Sequence, residues 1–105
     1  MVVVFEESYL KEMYETGRCT DKKHRFQPEI IKLYQKRIVT LLSVPSPEDL
    51  YRFNSLNFEA LTGDKSGRYS IRVNDKYRIE FTLESGTEQP KLVICNIVEL
   101  SNHYE

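Results

Sequence analysis

Long apolar runs are missing from this 105-residue chain. None approaches the ~20 residues that a helix needs to cross a bilayer, so a membrane protein is not expected and a cytoplasmic one is. The opening MVVVF is too short for a secretion leader and has no basic residues ahead of it. Cysteine is scarce. Cys19 and Cys95 stand far apart with no metal-ligand spacing, which argues against a zinc module or a disulfide scaffold and for two reduced thiols. Neither the dinucleotide GxGxxG nor the Walker spacing occurs among the four glycines, so no phosphate-cradling loop of those kinds is expected. There is no internal repeat, low-complexity tract or linker. The length suits a single domain over residues 1–105, which at this size buries roughly two-thirds of its unfolded surface in one modest core.

A large net charge is also absent: the formal value is −1 and the isoelectric point is near 6.1. That argues mildly against a nucleic-acid binder, but the charge is segregated. Residues 18–37 hold seven Lys/Arg against two acids, and residues 62–78 hold five against two, while the remainder holds three against twelve. Phosphate binding follows the local basic patch rather than the total.

What is present is ordinary globular composition, 40% hydrophobic and 30% charged, with periodicity that changes along the chain. Val2–Phe5 is β-branched and reads as a strand. Ser8 or an acidic neighbour starts a helix, for which Phe5, Tyr9, Leu10, Met13 and Tyr14 recur at helical spacing, and Gly17 stands where a C-cap would. Pro28 followed by Glu29 opens a second helix, whose stripe runs through Ile30, Ile31, Tyr34, Ile38, Leu41 and Leu42 until Pro45 and Pro47 stop it. The two helices are expected to form an antiparallel hairpin. Ser46-Pro47-Glu48-Asp49-Leu50 resembles a short helix start. Beyond Asn54 the pattern becomes extended: a weak strand at residues 58–61, a Gly-marked loop at residues 63–67, then alternation.

The segment LNFEALTGDKSGRYSIRVNDKYRIEF, residues 56–81, carries most of the information. Tyr69, Ile71 and Val73 face one way, and Arg68, Ser70, Arg72 and Asn74 the other. A two-residue turn at Asn74-Asp75 or Asp75-Lys76 is expected. Then Tyr77, Ile79, Phe81 and Leu83 alternate with Arg78, Glu80 and Thr82. A last strand runs over residues 91–100. The pattern predicts an α+β fold with one sheet face on a two-helix hairpin and the other half-wet, carrying Arg68, Arg72 and Arg78.

The motif G-D-x-x-G-x-x-S-I-x-V-N-x-x-x-R-I-x-F, Gly63 to Phe81, together with a near-terminal His103 beside Tyr104, resembles the HigB branch of the RelE/ParE toxin superfamily. The upstream helices and the Pro47–Leu50 segment extend the resemblance over nearly the whole chain. It implies a RelE/ParE-like fold, two helices on a small antiparallel sheet. It also implies a toxin that cleaves mRNA on the ribosome without metal or other cofactor. The partner implied is a helix-turn-helix antitoxin of the HigA type, in a toxin–antitoxin hetero-oligomer.

Roles follow for single residues. Arg78 stands at the family's strand arginine and would bind the scissile phosphate and offset charge developing there, with Arg72 in support. His103 would move a proton near neutrality. Tyr104 would stack on a base or position a phosphate. Lys65, Arg68 and Lys76 are expected to contact the RNA backbone. The family ending is usually Asp-Tyr-His, whereas this chain has Asn102-His103-Tyr104; Glu99 could supply a carboxylate. The family lysine before Gly-Asp is Thr62 here, which removes one cation that Lys65, Arg68 or Arg72 could replace. Two other readings use the same fold: a ParE-like inhibitor of DNA gyrase that cuts no RNA, and a degenerate toxin that only binds its antitoxin.

Overall fold

A computed structural model describes residues 1–87 and 92–102. The chain runs through strand β1 (Val2–Phe5), helix α1 (Ser8–Thr16) and helix α2 (Pro28–Ser43). Short 3₁₀ turns follow at Pro47–Arg52 and Asn54–Leu56, then β2 (Glu59–Ala60), a turn at Gly63–Lys65, β3 (Tyr69–Arg72), β4 (Tyr77–Ser85) and β5 (Val93–Asn102). Gly17 ends α1 in the left-handed region at φ 74°, its N–H donating to the Met13 carbonyl, a conformation that a Cβ would strain. Pro28 opens α2 where its missing N–H has no helical partner to lose.

The five strands form one sheet in the order β1-β5-β4-β3-β2. The expected antiparallel sheet accounts for β2 to β5, but β1 pairs parallel to β5, from Val2↔Ile94 to Phe5↔Ile97, so the sheet is mixed. The parallel pairing is possible because β1 and β5 are joined not by a tight turn but by residues 6–92, which include both helices and the other three strands. Ile71, Ile79, Phe81, Ile97 and Leu100 of the sheet pack with Leu10, Met13, Tyr34, Ile38 and Leu41 of the helices in one core. The Tyr34 hydroxyl donates to the Leu10 carbonyl at 2.8 Å, joining the helices inside it.

Two local features differ from the sequence expectation. The hairpin loop is three residues, Asn74 to Lys76, not two. Val73 N–H donates to Tyr77 C=O, and the Asn74 side-chain oxygen accepts from the N–H groups of Lys76 and Tyr77 at 2.9 and 2.8 Å. The asparagine side chain thus supplies the turn that a backbone pair would otherwise make. In β5, Glu99 faces Glu80 while Ile97 faces Phe81, leaving Val98 as an extra bulged residue.

Candidate active site

The bulge determines what shares a face. Residues directly opposite across a pair of strands point to the same side, and a one-residue shift exchanges the sides. Below the bulge Ile97 joins Phe81 in the core. Above it Glu99 pairs with Glu80 and Ser101 with Arg78 on the opposite face. The same face receives Arg72 through its pairing with Arg78, Ser70 through Glu80, and Glu59 through Ser70. The face away from the helices therefore carries arginines, carboxylates and serines only at its centre, and it is drier than expected: Ser70, Glu80 and Ser101 are buried.

Arg72 and Arg78 are direct cross-strand partners. Like charges placed so are unfavourable, and each has a carboxylate beside it: Arg78 Nη1 lies 3.2 Å from Glu59 Oε1, and Arg72 pairs with Asp75. Arg78 is sunk in the surface, its side chain only 17% exposed. The two guanidinium groups and Ser70 line a cleft of about 450 Å³. Asn54, Ser55 and Asn57, from the segment before β2, and Asn74, Asp75 and Tyr77 of the hairpin complete its lining. Asn57 adopts φ 47°, a left-handed conformation that asparagine tolerates better than most residues. Arg37 of α2 donates from Nε to the Arg72 carbonyl at 3.0 Å, anchoring the hairpin from behind.

A second ionic network lies next to the first. Glu80 is 1% exposed and receives Lys65 Nζ at 2.7 Å and Arg68 Nη1 at 3.0 Å; Arg68 also reaches Glu99 at 3.4 Å. Burial alone would raise the Glu80 carboxyl, but hydrogen bonds from Lys65, Ser101 and Arg68 hold it below the ordinary carboxylate value. Glu80 remains charged and orients Ser101, the residue opposite Arg78. Among the described residues, no cluster of three His, Cys, Asp or Glu side chains is placed to hold a metal ion, and no helix is long and apolar enough to cross a membrane.

Residues 3–93 match the family described as the RelE-like toxin of the type II toxin–antitoxin system HigB. The chain belongs to the HigB-like toxin family. The HigB-like chain is 34% identical over 87 residues to Toxin HigB-1 of Vibrio cholerae serotype O1, covering 82% of this chain and 87% of that protein. Its fold is shared by a YoeB/ParE toxin from Agrobacterium tumefaciens, with TM-score 0.55, 18% identity and coverage of 99% and 100% of the two chains. A YafQ mutant from E. coli aligns with TM-score 0.51 and 13% identity over 97% and 92%. As a HigB-like toxin the protein acts in a type II toxin–antitoxin system and has an antitoxin partner.

Of the residues singled out in this HigB-like sequence, Arg72 and Arg78 come together in the cleft, and Lys76 stands exposed on the hairpin loop beside it. Lys65 and Arg68 converge on Glu80. Thr62 is exposed at the head of the Gly63–Lys65 turn, so among the proposed substitutes for the family lysine only Arg72 reaches the cleft. His103 and Tyr104 lie outside the described residues. The last described residue, Asn102, is the cross-strand partner of Tyr77, next to Arg78. Glu59, Asn54, Ser55 and Asn57 were not legible as site residues. The available signal was the run of small polar residues set between the buried Leu50 and Leu56 and the aromatic Phe58.

Proposed function

We propose that this HigB-like toxin is an endoribonuclease that cleaves mRNA in the ribosomal A site, with a helix-turn-helix, HigA-like antitoxin as its inhibitor and the cytoplasm as its compartment. The observation that carries the reading is the opposed pair Arg72 and Arg78 on a rigid hairpin, at the floor of a polar cleft of about 450 Å³. Two guanidinium groups aimed at one space suit a phosphodiester whose charge grows in the transition state. The RNA 2′-hydroxyl attacks the adjacent phosphorus, the bond to the 5′-oxygen breaks, and a 2′,3′-cyclic phosphate and a 5′-hydroxyl result. The scheme uses no metal or other cofactor.

In this scheme Arg78 exchanges its contact with Glu59 for the scissile phosphate, and Arg72 neutralises a second oxygen. The Glu59 carboxylate, released beside the reacting centre, accepts the 2′-hydroxyl proton. His103, next in sequence after Asn102, protonates the departing oxygen, and Tyr104 stacks on a base or holds a phosphate. Lys76, Lys65 and Arg68 supply the positive field that draws in the backbone. The ribosome orients the message, so proximity provides much of the acceleration and free RNA is a poor substrate.

The test is induced expression of wild type and Arg78→Ala, with mapping of mRNA 5′ ends. Wild type should produce cuts in translated message, and the variant should lose about 10²- to 10³-fold in cleavage rate while melting normally, because Arg78 lies outside the hydrophobic core. Double-strand DNA breaks with intact mRNA would instead identify a gyrase inhibitor. Absence of any growth effect would leave only antitoxin binding.

A further inference from the structure

A second recess of about 540 Å³ adjoins the first. The two share Asn74, Asp75 and Tyr77, so the hairpin loop forms the ridge between them. Its cations are Arg25, from the basic connection between the helices, and Lys76, at the loop tip. Among the described residues neither makes a side-chain ion pair or hydrogen bond, in contrast to Lys65, Arg68, Arg72 and Arg78, each of which is held by a carboxylate. The acids here are Asp75, which is turned to Arg72, and Glu29 in the first turn of α2. The floor is apolar and aromatic: Ile30 is buried, and Tyr77 is braced edge-on by Phe26 at 5.8 Å between ring centroids.

We propose that this recess is a second nucleotide subsite, occupied by the neighbour of the scissile nucleotide on the same RNA strand. Arg25 and Lys76 bind its phosphate and the braced Tyr77 ring receives its base. The inference rests on the endoribonuclease reading. Three features select RNA as the occupant: the recess adjoins the arginine cleft across a shared ridge, its cations have open donors, and a partly exposed aromatic ring on that ridge suits base stacking. An acidic protein segment would use the cations but would need neither the ring nor the neighbouring cleft.

The test uses the full chain and a fluorescein-labelled 2′-O-methyl hexaribonucleotide, which cannot be cleaved through its blocked 2′-oxygen. Anisotropy titrations from about 50 to 200 mM NaCl give the salt slope. Losing one single-strand phosphate contact should shrink that slope by about 0.7 in Arg25→Ala/Lys76→Ala, so that wild type loses about 2.6-fold more affinity than the variant over the range. Both side chains are exposed, so folding is retained. An unchanged slope, or no measurable wild-type binding, overturns the subsite, as does a variant that loses affinity only for the antitoxin. The two readings fail separately. If wild type leaves message intact, the nuclease assignment fails. If wild type cuts message and the double variant binds as wild type, only the subsite fails.

Discussion

Glu80 shows how one residue can change meaning between sequence and structure. Strand alternation placed it with Arg78 and Thr82 on a wet face, and Lys65 and Arg68 were read as RNA ligands. The fold buries Glu80 to 1% and converges both cations on it. That pairing joins positions 15 and 12 apart in sequence through a loop of irregular geometry, which no periodicity encodes. Its folded-state ionisation lies below the ordinary value, near 4.3 for an unfolded glutamate, because the three hydrogen bonds outweigh burial. The stabilisation is therefore fully present above the unfolded value and is lost as pH falls through the folded one. Glu80→Gln should lower stability by about 2–3 kcal/mol at neutral pH, and its deficit relative to wild type should shrink on acidification below about pH 4. Urea denaturation at several pH values measures this. A deficit independent of pH would show that shape, not charge, is what the position supplies.

At the level of elements, much was legible. The spacing of Tyr9, Leu10 and Met13, the Gly17 cap, Pro28 at the head of α2 and the alternation from Tyr69 to Phe81 each specify local structure by a direct physical preference. The opposition of Arg72 and Arg78 also follows once the hairpin register is known, because whole strands move together. The parallel edge of β1 and the bulge at Val98 were not legible: both are long-range pairings between strands whose own sequences read simply as apolar. The bulge decides the site, since it alone turns Glu99 and Ser101 toward Glu80 and Arg78 while keeping Ile97 in the core. Deleting Val98 makes Ile97 and Glu99 consecutive, so regular alternation still holds Ile97 inward beside Phe81 and Glu99 and Ser101 outward beside Glu80 and Arg78. The deletion should therefore be tolerated with the site's pairing intact. A thermal melt checks this, and a loss of about 3 kcal/mol or more would mean that the bend of the bulge itself is what the sheet requires.

For the whole molecule, stability is graded across the sheet in the direction the proposed chemistry needs. β4 is the central strand, with Ile79, Glu80 and Phe81 buried, whereas β2 is a two-residue edge paired to β3 alone. Glu59 sits on that edge, half-exposed, holding Arg78 from the least supported strand of the sheet. The Glu59 side of the pair is open to water at 44% exposure, which weakens its hold on Arg78, so moving β2 outward frees the guanidinium for a phosphate without disturbing the hairpin that aims it. Native-state hydrogen exchange should resolve the difference. The Leu61 N–H, bonded to the Arg68 carbonyl at 2.8 Å, should exchange through a local opening several kcal/mol below global unfolding, while the amides of Ile79 and Phe81 exchange only with the whole molecule. Equal protection at Leu61 and Ile79 would mean that Glu59 is locked in place, and release of Arg78 would then have to come from the arginine side chain alone.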